Sequence, residues 1–367
     1  MEADGPGEIE NIVQHRFVSC EEPVFRVYVD GADSPSFTFR GSLLGVDFPF
    51  LKPLADSYIG PYSKGFGPIR VMRSFVPITF NSHCKVTTDI RLFGKSRVKG
   101  EGGWGHVIYR TFNSPQEGLS SDVESQNELR LLRRRGLEIS GEAATTILGR
   151  TVLNPGRSSC LASFDSPAVL SAVRMSLDAG DNLQEVLQGL WISITFDSHS
   201  VPDVLCPVGC FAGNYLGQND AEYLTMGTSC AGDIYNTFPM PFWENCTISI
   251  ENRSDKPLGI IGGSLKILEN DYDRSLCGYF RNTPFYPPTY TPGADSHIGE
   301  IRGCGRMVAA TVSAWAVNPG ISACEGDVHV RIDGRRRPVI QSDGSESYSC
   351  YGWGFATPPP DPSFRRI

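Results

Sequence analysis

Short runs in which apolar and polar residues alternate, each closed by a turn residue, recur along this chain: VFRVYVDG, CKVTTDIRLF, LWISITFD, CTISIENR and VHVRIDG. A strand turns successive side chains to opposite faces, so a period of two bounded by Gly, Asp or Asn marks a half-buried strand and not a helix. With 39 glycines and 26 prolines to serve the turns, the chain reads as all-β, a sandwich or jelly roll. Helical patterning is confined to SDVESQNELRLLRRRG (121–136) and DNLQEVLQGL (181–190), which lie between strand blocks as decoration.

The strands come in a repeated order. VYVDGADSP (27–35) and ITFDSHSVP (194–202) each place an aspartate ahead of a proline, Asp30 with Pro35 and Asp197 with Pro202. SLLG (42–45) and CFAG (210–213) follow at nearly the same distance. Pro77, Phe80 and Cys84 then match Pro239, Phe242 and Cys246. Three matched landmarks in one order imply two copies of a β-sandwich, with proline where no ladder N–H is needed. The division falls near 150–167, giving a first unit 1–160, with a helical insertion near 115–136, and a second unit 161–367. VRIDGRRRP (330–338) repeats the first landmark with Asp333 and Pro338, but the other landmarks do not follow, so it reads as a similar hairpin within the second unit.

Composition excludes several classes of function. A net charge of −8 does not suit a nucleic-acid partner, which requires a basic surface. The basic clusters RLLRRRG and RRR read as a solvated helix end and an exposed turn. No run approaches the roughly 20 apolar residues of a membrane helix. The start, MEADGPGEIE, is acidic and carries no apolar export segment. Eleven cysteines without CxxC spacing read as reduced thiols, so a cytoplasmic protein is expected, and the sequons at Asn245 and Asn252 are chance matches. Cys206 and Cys210 lack a second pair for zinc, and no H-E-x-x-H, P-loop or G-x-S-x-G motif occurs. No metal or cofactor is expected.

The stretch EGDVHVRIDGRRRPVIQSDGSES (325–347) holds Glu325 and Glu346 on either side of a turn. Folded back as a hairpin, it would bring the two glutamates opposite one another, with Cα atoms ~4.5–5.5 Å apart. Like charges so placed destabilise a sheet. Either they form a working pair, since a retaining glycosidase needs carboxyl groups ~5–5.5 Å apart, or one faces solvent and the other caps a loop. Nearby, Tyr348, Tyr351 and Trp353 either wall a sugar site or pack into the core. His199, in the turn FDSHSVP, either touches a ligand or is a solvated turn histidine.

These residues resemble glycoside hydrolase family 172. The family's L-E-G-D, strand, D-G, proline and G-T-G-T-E-D-Y signature is similar to CEGDVHVRIDGRRRPVIQSDGSESY (324–348). FPMPF (238–242), FDSHSVPDVLCPVGCFAG (196–213) and DGPGEI (4–9) resemble its other segments. The resemblance implies a double jelly roll assembled as a homo-oligomer, trimer or hexamer. It also implies retaining hydrolysis of α-D-fructofuranosides or α-D-arabinofuranosides, with no cofactor. Glu325 would then be the nucleophile and Glu346 the acid/base. Asp327, Asp343, Tyr348, Trp353 and His199 are the expected substrate contacts. The family's aspartate after the second glutamate is Ser347 here, and Asp343 adds a carboxylate nearby. Members usually continue with more strands after this motif, so the second unit is expected to be short of strands at its C-terminal end. The competing expectation is a protein of the same fold without activity, a carbohydrate-binding or assembly subunit.

Overall fold

A computed structural model describes residues 1–52, 54–60, 68–90, 94–96, 101–114, 144–180, 182–223, 225–282, 284, 295–313, 326–342 and 344–348. By internal contacts the chain divides into two units, Met1–Arg134 together with Trp315–Arg365, and Arg135–Ala314. The helical insertion expected near 115–136 lies outside the described residues.

The first unit contains β1 (Glu2–Asp4), β2 (Gly7–Phe17), β3 (Val24–Val29), β4 (Phe37–Arg40), β5 (Ala55–Ile59), β6 (Ile69–Ser74), β7 (Ile78–Phe80), β8 (His83–Thr88), β9 (Gly94–Ser96) and β10 (Glu101–Thr111). One sheet runs β1-β8-β3-β4 and the other β5-β6-β2-β10-β9, with β7 also on β2. Val27, Phe25, Phe39, Phe80 and Cys84 are buried in the core. There the ring of Phe39 stacks on Phe25 at 5.0 Å and tilts against Phe50 at 4.3 Å.

The second unit contains β11 (Ala144–Leu148), β12 (Thr151–Leu153), β13 (Ser158–Phe164), β14 (Ala168–Leu177), α1 (Leu183–Gly189), β15 (Leu190–Phe196), β16 (Val204–Pro207), α2 (Val208–Phe211), β17 (Ala221–Glu222), β18 (Met226–Thr228), β19 (Asp233–Asn236), β20 (Met240–Phe242), β21 (Cys246–Asn252) and β22 (Leu258–Leu268). Its sheets run β13-β21-β15-β16 and β11-β22-β14-β19-β18-β17, with β20 also on β14. The alternation in LWISITF puts Leu190, Ile192, Ile194 and Phe196 inside, each fully buried. Across the ladder Ile192, Ile194 and Phe196 meet Ile250, Ile248 and Cys246 on β21. Burying such side chains contributes about 1.5–3 kcal/mol each.

Strand for strand the two units correspond. β1, β2, β3, β4, β7, β8 and β10 hold the same places in their sheets as β13, β14, β15, β16, β20, β21 and β22. β5-β6 matches β18-β19, and the edge strand β9 matches β11. The all-β, two-sandwich architecture expected from the alternation is therefore what the chain forms. Every described strand of the first sandwich has its counterpart within residues 144–268. β11 and β12 pair with β22, so the second unit begins ahead of the 150–167 division read from the sequence.

The aspartate landmarks are one structure repeated three times. Asp30 and Gly31, Asp197 and Ser198, and Asp333 and Gly334 all have positive φ. In each case the next N–H closes a turn of the I′ kind: Ala32 to Val29 O, His199 to Phe196 O, and Arg335 to Ile332 O. The returning strands then bond at the same register, Ser36 to Val27 O, Asp203 to Ile194 O and Val339 to Val330 O. The third hairpin, β23 (His329–Val330) and β24 (Ile340–Gln341), belongs by contact to the first unit, whereas the sequence reading attached it to the second. Each return strand runs into a helical turn: Gly41–Leu43, α2, and α3 (Ser345–Tyr348).

Candidate functional site

The hairpin that carries the proposed carboxylates is held by His329 opposite Gln341 and Val330 opposite Ile340. The ladder extends once more, with Ser342 N–H donating to Val328 O at 3.1 Å. Beyond it the return strand gives way to α3, where Tyr348 N–H reaches Gly344 O at 3.0 Å. Glu346 therefore stands on a helical turn and not in the ladder, so the cross-strand opposition expected from spacing is not the arrangement. The Ser342 hydroxyl donates to Gly344 O at 2.7 Å across the passage from strand to turn. Asp327 is exposed and Tyr348 half-buried. Glu325, Asp343, Tyr351, Trp353 and the side chain of Glu346 lie outside the described residues. Sequence reasoning passed over His329, whose Nε2 is buried without a hydrogen-bond partner among the described residues. Arg335, Arg336 and Arg337 are exposed on the turn, as the solvated reading of RRR expects.

In the first unit the same motif shows what its positions can reach. Glu22, half-buried just before β3, accepts a hydrogen bond from the backbone N–H of Ser42 in the helical turn after β4. The strand entry and the helical turn are thus in direct contact.

His199 belongs to the second unit and lines a cavity of about 450 Å³. Its Nδ1 is 2.9 Å from Oδ2 of Asp203, a carboxylate only 2% exposed. Asp203 Oδ2 also accepts from Phe196 N–H at 3.2 Å, and its Oδ1 faces Arg281 Nε at 3.3 Å. The His199 ring packs edge-on against Tyr279 at 4.6 Å, and Tyr279 in turn meets Trp243 at 5.2 Å. The Tyr279 hydroxyl donates to Asp197 Oδ2 at 2.6 Å. Burial alone would raise the Asp197 carboxyl, but Tyr279 and the backbone N–H groups of Glu244, Trp243 and Asn245 outweigh it and hold the pKa below the ordinary value. Burial and the Asp197 charge push the Tyr279 hydroxyl up.

No set of ligating side chains for a metal occurs among the described residues, and Cys206, deep in the core, has its thiol pushed up by burial. Asn252 is fully buried and donates to Leu153 O and Lys256 O, so its sequon is not an attachment site. No helix among the described residues is long and apolar enough to cross a membrane.

The fold defines a tandem β-sandwich protein. A model of the GH172 first beta-sandwich domain matches residues 1–128, and a GH172 domain-like model matches 144–260. The chain belongs to glycoside hydrolase family 172. Both matches end ahead of Glu325. No curated protein matches the chain. Among solved structures, a protein described as secreted, from Eubacterium rectale, is 9% identical, with 71% of this chain and 66% of that one covered and a TM-score of 0.20. A point mutant of Bacillus subtilis oxalate decarboxylase is 12% identical, with 74% and 68% covered and a TM-score of 0.14.

Proposed function

We propose that this chain is a retaining glycoside hydrolase of α-furanosides, fructofuranosyl or D-arabinofuranosyl, with Glu325 as nucleophile and Glu346 as acid/base. The observation that supports it is the threefold hairpin. Counting from the turn aspartates, Glu325 and Glu346 correspond to Glu22 and Leu43 in the first copy and to Gly189 and Cys210 in the second. In the first copy the carboxylate of Glu22 bonds Ser42 N–H, the residue beside Leu43. In the first copy the motif thus sets these two positions near one another, and of the three copies the third alone has a carboxylate at both in its sequence. A retaining mechanism needs that proximity, ~5–5.5 Å between carboxyl groups.

The chemistry follows from the pair. Glu325 attacks the anomeric carbon while Glu346 gives its proton to the leaving oxygen, and a glycosyl-enzyme forms. Glu346 then takes a proton from water as the water attacks the same carbon and frees Glu325. Asp327, Asp343, Tyr348 and Trp353 would bind the sugar, and assembly as a trimer or hexamer is part of the same reading. The test is hydrolysis of an aryl α-D-arabinofuranoside and of difructose anhydride. Glu346→Gln should lose about 10²–10⁴ of the rate, and wild-type turnover by Glu325→Gln would sink the nucleophile assignment. Tight sugar binding by a folded protein without turnover would favour the binding-subunit reading instead.

A further inference from the structure

We propose that the second unit carries a separate binding site for a small hydroxylated anion, a carboxylate or phosphate borne on a sugar, built from His199, Asp203, Arg281 and Asn282 around the 450 Å³ cavity. The proposal does not rest on the glycosidase reading.

The three hairpins provide an internal control. The position of Asp203 is Ser36 in the first copy and Val339 in the third, both exposed. All three make the same return hydrogen bond to the strand before the turn. The position of His199 is Ala32 in the first copy and Arg335 in the third. The turn therefore requires neither a histidine nor an aspartate. In the second copy alone a carboxylate is buried at 2% exposure, and burying a charge is costly unless it is paired. Here it is paired on three sides, by Phe196 N–H, His199 Nδ1 and Arg281 Nε. The segment carrying Arg281 is itself tied to the hairpin, since Asn282 N–H donates to Asp203 O and bridges Val204.

What this carboxylate does is orient two groups at the cavity. The His199 Nδ1 is turned to Asp203, which leaves Nε2 as the other face of the ring, and Nε2 has no partner among the described residues. Arg281 commits its Nε to Asp203, and its side chain is 67% exposed, so the outer edge of the guanidinium remains open. A planar guanidinium edge matches a carboxylate or a phosphate. An imidazole nitrogen and the Asn282 amide suit hydroxyl groups. Leu205 and Val201 supply the apolar wall for the C–H face of a ring.

The experiment is calorimetric titration of the full chain with D-glucuronate, D-glucose 6-phosphate and, as the neutral control, D-glucose. Binding of either anionic sugar but not of glucose is expected, and which one binds identifies carboxylate or phosphate as the source of charge. Arg281→Met and His199→Gln change side chains outside the core and should each weaken binding about tenfold or more. A Glu325→Gln, Glu346→Gln double variant should bind unchanged. Binding of glucose equal to that of the anions, no binding of either anion, indifference to Arg281→Met, or loss in the double glutamate variant would each overturn the site.

Discussion

Asp30 and Asp197 are single residues with two duties. Each holds a left-handed backbone, which aspartate tolerates better than most residues. Each also turns its carboxylate onto the N–H groups of a distant turn, Asp30 onto Asn81, Ser82 and His83, and Asp197 onto Trp243, Glu244 and Asn245. Replacing Asp197 with alanine removes both and should cost about 3 kcal/mol in urea unfolding. Asp197→Asn keeps the backbone preference and one acceptor oxygen and should cost clearly less. The carboxyls of Asp30 and Asp197 are burdened by burial, yet their hydrogen bonds hold them below the ordinary value in the folded protein. Their contribution is therefore complete above the unfolded carboxyl pKa of about 3.9 and disappears as pH falls through the lower folded values. Acid unfolding of Asp197→Asn should be less steep with pH than that of the wild type. The aspartate-to-proline spacing was legible in the sequence. The second duty was not, because the amides served lie some fifty residues away, as in the Asp30 to Asn81 bond.

At the scale of elements, alternation located β3, β8, β15 and β21 closely, because one face of each is core and the other is more open. It did not locate β14, whose first six residues are all buried and therefore show no period of two. The helix expected in DNLQEVLQGL forms as α1, capped by Asn182, which accepts from Glu185 N–H while its amide reaches the Glu185 carboxylate. The hairpins depend on backbone conformation and the central strands on close approach, and the two can be separated by one kind of substitution. At Gly31, with φ +75°, an added Cβ meets nothing within 4 Å, so Gly31→Ala should cost only the left-handed backbone, about 1 kcal/mol. At Gly259 on β22 the same Cβ would lie 2.1 Å from Thr151 O on β12. Gly259→Ala must displace that strand, and its thermal midpoint should fall further than that of Gly31→Ala.

For the whole molecule, the duplication was legible from three landmarks, but its boundary was not, since β11 is fixed by pairing with β22 more than a hundred residues later. The geometry around Glu346 was misjudged from the sequence: reflecting the chain about a turn implied a continuous ladder, whereas a helical turn follows each of the three return strands. That repetition separates structure from chemistry. Counted from the turn aspartates, Glu22 and Glu325 are the same position in the sequences of two copies, and the bond from Ser42 to Glu22 serves the fold of the first. Leu43 is the first-copy residue at the position counted for Glu346, so the first copy has no carboxylate at that position to divide acid and nucleophile roles with Glu22. Glu22→Gln retains an oxygen for Ser42 N–H and should leave glycosidase turnover within about twofold of wild type, while Glu325→Gln, in the proposed nucleophile role, should abolish it with little change in the thermal midpoint. Equal loss of turnover in both variants would mean that the first copy takes part in the reaction, and the division of labour among the three hairpins would have to be abandoned.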